Sequence, residues 1–174
     1  SENPSQHIID MSENEIEEPE DYTPEELRQD LLCYTYPVLK ENLVLTGDMT
    51  AELYISSDAP DTDFVVRVTD VDENGRSIKL ADGLLSARYR NGFARSEFLQ
   101  EGEIVCLKIR TTKLSNCFRK GHRIRVTVTS SAKNFIFPNS NTREGFASAR
   151  TVVAHNRVYH GGLHASRLTV RVEP

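Results

Sequence analysis

With 174 residues, 38% of them hydrophobic and 27% charged, the chain is long enough for one domain with its own core and short for two. No apolar run approaches the roughly 20 residues of a membrane helix, and no basic-then-apolar leader opens the sequence, so neither the membrane nor the secretory route is expected and the reading is cytoplasmic. The net charge of -5 hides an asymmetry: of 26 acids and 21 bases, residues 1–30 hold eleven acids and a single base, Arg28.

Residues 1–22 carry many like charges and little apolar periodicity, the composition of a linker or of an arm lying on a partner surface, with Ile8, Ile9, Met11 and Ile16 as its apolar pegs. Thr23-Pro24-Glu25-Glu26 has an N-cap, a proline at the first helical position and a glutamate at the third, and predicts a short helix to about Asp30. The expected division is therefore an acidic arm with a short helix over residues 1–29 and a β domain over residues 30–174.

Strand signals then follow one another. Leu31–Tyr36 is a first strand and Leu43–Leu45 a second, short one. Met49, Ala51, Leu53 and Ile55 alternate with polar neighbours, and so do Phe64, Val66 and Val68. Asn74-Gly75 is a hairpin turn leading into Ser77–Ala81. Residues 84–98 are broken up by Arg88, Arg90 and Arg95 and read as extended or irregular. Glu103–Arg110 places Val105, Leu107 and Ile109 on one face. The clearest strand is Arg123–Thr129, where Ile124, Val126 and Val128 alternate with Arg123, Arg125, Thr127 and Thr129, the pattern of a half-buried central strand. Residues 134–145 form a loop, and Thr151–Tyr159 and Leu163–Val172 complete the set, the last with Leu168, Val170 and Val172 facing in. Eight to ten short strands without α/β alternation predict an all-β sandwich or barrel.

Candidate sites are few. Asp70-Val71-Asp72-Glu73-Asn74-Gly75 begins like a calcium loop, but Ala81 stands where the twelfth-position glutamate belongs, so a turn is the better reading. Asp58, Asp61 and Asp63 cluster on one loop; they either stabilise that loop or contact a partner. Arg88 and Arg90 read as a solvated or ion-paired strand face. Phe135, Phe137 and Phe146 sit on the long loop, either as a partner surface or buried beneath it. Cys33, Cys106 and Cys117 are odd in number and widely spaced, which fits a reducing compartment, with Cys106 read as a small buried hydrophobe. His160 and His164 flank Gly-Gly, a turn, so their spacing is no metal pair. No nucleophile elbow, zinc motif or phosphate loop is present, and no cofactor or metal is expected. Unclustered bases and the lack of Trp argue against nucleic acid.

Several runs together resemble a known family. They are Asp30-Leu31-Leu32-Cys33-Tyr34, Ser56-Ser57-Asp58-Ala59-Pro60-Asp61-Thr62-Asp63-Phe64, Asp82-Gly83-Leu84-Leu85-Ser86-Ala87-Arg88-Tyr89-Arg90 and Phe118-Arg119-Lys120-Gly121-His122-Arg123-Ile124-Arg125-Val126, with Asn139-Ser140-Asn141-Thr142 and Val158-Tyr159-His160. In order over residues 30–172, they resemble the C-terminal non-catalytic domain of the cocaine esterase / X-Pro dipeptidyl-peptidase (S15-type) serine hydrolases. The chain departs from the family pattern at Ala132-Lys133-Asn134-Phe135-Ile136-Phe137-Pro138. The resemblance implies a jelly-roll β-sandwich of the galactose-binding type, packed on an α/β-hydrolase catalytic domain that holds the Ser-His-Asp triad. No triad residue falls on this chain, so the isolated chain is expected to be inactive. Asp58, Asp61, Asp63, Arg88, Phe135 and Phe137 become the expected interface with that domain, and an exposed interface would favour self-association. The alternative is a carbohydrate- or ligand-binding jelly-roll module.

Overall fold

The computed structural model describes residues 20–132 and 136–173. Alternating, β-branched segments separated by turn residues leave no length of chain with a helical period, and antiparallel strands result. Eleven are present among the described residues: β1 (Leu31–Thr35), β2 (Leu43–Gly47), β3 (Thr50–Ser57), β4 (Asp63–Val71), β5 (Ser77–Ser86), β6 (Val105–Arg110), β7 (Leu114–Phe118), β8 (Arg123–Thr129), β9 (Asn156–Gly161), β10 (His164–Ala165) and β11 (Arg167–Thr169). One sheet runs β1-β8-β4-β5. The other is built around β3, which pairs β6 along one edge and β11 and then β9 along the other, with β10 outside β9. A β2-β7 ribbon completes the architecture.

The period of two explains the core. Ala51, Leu53 and Ile55 of β3 and Leu107 and Ile109 of β6 point at Phe64 and Val66 of β4 and Val128 of β8, forming one buried cluster. Register holds the layer together: Val66 faces Val128, and Val68 faces Val126. Fully burying each such side chain is worth about 1.5–3 kcal/mol. A smaller cluster of Leu39, Leu45 and Phe118 fills the space beneath the ribbon, with Ile124 against it.

The strand expected at the centre occupies residues 123–129 and is an inner strand of its sheet, with Ile124, Val126 and Val128 inward. Its other face is not solvated. Thr127, Arg67 and Thr69 are buried there, because residues 20–30 lie across it. Tyr22 stacks on Arg67 with 3.8 Å between guanidinium carbon and ring centroid. Glu26 accepts hydrogen bonds from Arg125 Nη1, Thr69 Oγ1 and Ser77 Oγ. The expected helix is correspondingly reduced to one 3-10 turn, Glu25–Leu27, without a side-chain cap. Thr23 accepts from the Ser77 amide at 2.9 Å rather than capping. Glu26 has been drawn into the sheet, a tertiary contact that outcompetes a local one.

Other differences are local. β5 runs to Ser86 rather than Ala81, with an irregularity opposite Val68 and Thr69. β7 was not foreseen, since Asn116 interrupts its apolar face. β9 begins at Asn156, and Val172 is half exposed, bridging Leu45 rather than facing inward. Cys106 is half-buried on the outward face of β6, and desolvation pushes its thiol upward. All three cysteines are free. Asn74-Gly75 forms the expected turn, with both the Asn74 and Arg76 amides donating to Asp72 Oδ1. No helix among the described residues is long and apolar enough to cross a membrane.

Candidate functional site

Three connections gather at one end of the sandwich: residues 58–62, 87–104 and the described parts of the β8-β9 connection, 130–132 and 136–155. The register places them there, because Ser57 faces Asn156, Asp63 faces Ser86, Ile55 faces Val105 and Val65 faces Thr129. The 58–62 loop is clamped by its neighbours. The Ala87 amide donates to Thr62 O, the Leu99 amide to Pro60 O and the Gly102 amide to Ser57 O.

The three aspartates of this loop separate into two groups. Asp61 and Asp63 are buried and share a partner: Asn139 Nδ2 lies 2.9 Å from Asp61 Oδ2 and 2.8 Å from Asp63 Oδ1. Arg88 closes the cluster, donating through Nε to Asp61 Oδ2 at 2.7 Å and through its backbone amide to Asp61 Oδ1 at 2.9 Å. The same guanidinium reaches the carbonyl of Thr142 through Nη2 at 2.8 Å. Arg88 thus ties together all three connections, and it is ion-paired rather than solvated. Asp58 stands apart on the surface. Its carboxylate accepts from the His155 amide at 2.8 Å and pairs with His155 Nδ1 at 2.7 Å. The backbone amide, then the ring, hold the Asp58 carboxyl below its ordinary range.

Asn139-Ser140-Asn141-Thr142 is built to hold this geometry. Asn139 Oδ1 accepts from the Asn141 amide, and Asn141 adopts a positive φ of 58°, tolerable for asparagine. Asn141 Nδ2 donates to Val152 O, and the Val152 amide donates to Ser140 O. A cleft of about 260 Å³ opens beside the cluster, walled by Arg88, Tyr89, Asn139 and Phe146. Phe137 and Phe146 stand at the surface, 73% and 82% exposed, as an edge-to-face pair with centroids 6.4 Å apart. Phe93, also exposed, packs against Tyr89. Phe135, and the apolar pegs of the acidic arm, lie outside the described residues.

Chemically the cluster is a structural clamp. The Asp61 carboxylate accepts from three donors within the domain, and Asp63 Oδ1 accepts from Asn139. A second cleft, of about 410 Å³, contains Ser56, Ser57, Asp58 and His155. Its hydroxyls are engaged elsewhere: Ser56 Oγ bonds the Tyr159 hydroxyl and Ser57 Oγ accepts from the Ala59 amide. His160 lies against Tyr34, with Nε2 3.1 Å from the phenol oxygen. Among the described residues no three His, Cys, Asp or Glu side chains converge as metal ligands. Of the residues expected at an interface, Asp58, Asp61, Asp63 and Arg88 lie at this loop end, where Asp61, Asp63 and Arg88 are engaged in contacts within the domain; Asn139 and the pairing of His155 with Asp58 are not among those expected. The signal for Asn139 was the Asn-Ser-Asn-Thr run, whose Asx-turn chemistry is visible in the sequence.

Residues 4–169 match the family described as the X-Pro dipeptidyl-peptidase C-terminal non-catalytic domain. The chain belongs to that family. Over 159 residues it is 37% identical to the cocaine esterase of Rhodococcus sp. strain MB1 Bresler, an alignment covering 88% of this chain and 27% of the esterase. The fold is shared with an aminopeptidase from the marine sediment archaeon Thaumarchaeota archaeon, at 25% identity and a TM-score of 0.85 over 90% of this chain and 28% of that one. It is shared too with an α-amino acid ester hydrolase, at 24% identity and a TM-score of 0.84 over 89% of this chain and 27% of that one. The chain thus spans about a quarter of the length of the curated relatives it matches.

Proposed function

We propose that this chain is the accessory C-terminal β-sandwich of a larger α/β serine hydrolase, of acyl-esterase or X-Pro dipeptidyl-peptidase type. It packs on the catalytic domain and helps wall its substrate pocket. The observation that carries this reading is the loop end itself. The Asp61-Arg88-Asn139 clamp fixes three connections rigidly, and the aromatic pair Phe137 and Phe146 is presented beside it with most of its surface exposed. Exposed paired aromatics on a buried polar scaffold are the makings of an interface anchor rather than of a reaction centre. Family membership and the quarter-length match support a catalytic domain of the same protein as the partner. Asp58, Asp61, Asp63 and Arg88 act by holding the loops in place, with Asp58 and His155 at the rim.

The test uses this chain and the separately produced catalytic portion of its parent. The chain alone should not hydrolyse p-nitrophenyl esters or X-Pro anilides. Mixed with the catalytic portion it should bind and raise that portion's kcat/KM. Absence of binding in sedimentation and calorimetry would sink the reading. So would turnover by the chain alone that disappears in His155→Ala.

A further inference from the structure

We propose that residues 20–30 are a releasable strap, which docks by charge on the outer face of the β1-β8-β4-β5 sheet and fixes where the chain joins the sandwich. Three observations carry this.

The first is the pairing. The Tyr22 amide donates to Ser77 O at 2.7 Å, the Lys79 amide donates to Glu20 O at 3.0 Å, and Asp21 bridges Ile78, so the strap extends the sheet past the edge of β5. The second is the chemistry of the socket. Glu20 pairs with Lys79, Asp21 with Arg76 at 3.1 Å, and Glu26 with Arg125. Three acids of the strap therefore meet three bases of the sandwich. Part of the charge asymmetry of the sequence, the share carried by Glu20, Asp21 and Glu26, is here a docking complementarity within one chain. The third is the near absence of apolar anchoring. Leu27, the one aliphatic residue of the 3-10 turn, is 81% exposed. Beside the backbone bonds and ion pairs, the holding contacts are polar: Tyr22 on Arg67, Thr23 Oγ1 accepting from the Ser77 amide, Arg28 Nη2 donating to Ser131 Oγ, and the Glu26 side chain, which is only 3% exposed. A segment held by polar contacts and few buried apolar ones opens locally, while the sheet beneath it stays folded. Opening would uncover a strip of cationic side chains whose occupant is this segment. In a longer protein the strap would set the direction in which the chain enters the sandwich. That consequence rests on the reading above, whereas the strap itself does not.

The experiment is amide hydrogen exchange on the 174-residue chain, followed by NMR. The Tyr22 and Lys79 amides should exchange at least ten-fold faster than the hydrogen-bonded amides of β4, and at least ten-fold slower than unpaired amides. Tyr22→Ala combined with Glu26→Ala should accelerate those two by a further ten-fold and leave β4 unchanged. Glu26→Gln, which can still accept from Thr69 and Ser77, should fall between. Raising salt from about 0.05 to 0.5 M should accelerate the Tyr22 amide several-fold, because the exposed pairs of Glu20 and Asp21 are screened. Exchange of Tyr22 and β4 at one common rate would overturn the proposal, as would equal acceleration of every strand by the double substitution or indifference to salt. Failure of the chain to bind a catalytic portion would leave these outcomes untouched, so the two readings fail separately.

Discussion

Arg88 holds Asp61 by both of its carboxylate oxygens, one through Nε at 2.7 Å and the other through its own backbone amide at 2.9 Å. Because Nη2 of the same side chain reaches Thr142 O, 54 positions beyond Arg88, one residue couples the β3-β4 loop to the connection between β8 and β9. The pair is largely desolvated, with side-chain exposures of 12% and 1%. Removing one partner leaves an uncompensated charge in a poorly solvated place, a loss of about 3–5 kcal/mol for a buried pair. Arg88→Ala should therefore lower the unfolding free energy, measured by urea denaturation, by about 3 kcal/mol, the low end of that range, given its slight exposure. Arg88→Lys should not rescue it, because an ammonium cannot serve Asp61 and Thr142 in two fixed directions. A loss under about 1 kcal/mol would show that the clamp does not organise the loop end.

Asp58 gives a pH dependence. Its carboxyl is held below its ordinary range by the His155 amide and then by the ring. A carboxyl depressed in the folded state adds stability that is fully present above its unfolded value of about 3.9 and is lost as the pH falls through the lower folded value. Denaturant midpoints measured from pH 6 to pH 2 should fall on the acid side. In Asp58→Asn that acid limb should be shallower, since one titrating group has gone. An unchanged limb would remove Asp58 from the account.

Gly83 marks a close approach inside the sandwich. A Cβ at this position would lie 2.6 Å from the carbonyl oxygen of Arg110 and 2.9 Å from Ile109 Cγ2. The backbone there cannot yield easily, because the Thr112 amide donates to Asp82 O at 2.7 Å and joins β5 to the end of β6. Gly83→Ala should therefore destabilise by about 1–3 kcal/mol, as overpacking does. The neighbouring Leu84→Ala, on an exposed side chain, should stay within about 0.5 kcal/mol. Thermal unfolding of the two variants side by side checks the contrast.

These three sites also show what the sequence could reveal. The inward faces of β3, β4, β6 and β8 were legible because alternation is a local property, and both sheets obey it. The outward face of β8 was not, because its cover arrives from Tyr22 and Glu26, about a hundred residues earlier. The capping box failed for the same reason: Glu26 had a stronger partner in Arg125 than in its own helix end. At the site, the run of three aspartates was visible but not its division. Asp61 finds Arg88 27 positions away and Asn139 78 away, whereas Asp58 finds His155 97 away. Which aspartate takes which partner is settled by strand register, and no spacing rule carries that.

The exposed aromatics supply the last prediction. Phe137 and Phe146 form an edge-to-face pair on the surface of the loop end, and Phe93, which packs on Tyr89, is equally uncovered. An edge-to-face pair is worth about 0.5–1.5 kcal/mol beyond burial, and at this exposure the smaller figure applies. Phe137→Ser with Phe146→Ser should consequently cost little stability and leave the melting temperature within about 3 °C. Association is where the pair should matter. Sedimentation velocity at rising concentration should show the unsubstituted chain drifting toward larger species as apolar patches meet, and the double variant remaining monomeric. Binding to the catalytic portion should weaken in parallel by at least ten-fold, the mark of a residue pair near the centre of an interface. A steep fall in melting temperature with binding intact would instead place these rings among the supports of the loop, and the contact surface would have to be sought elsewhere on the sandwich.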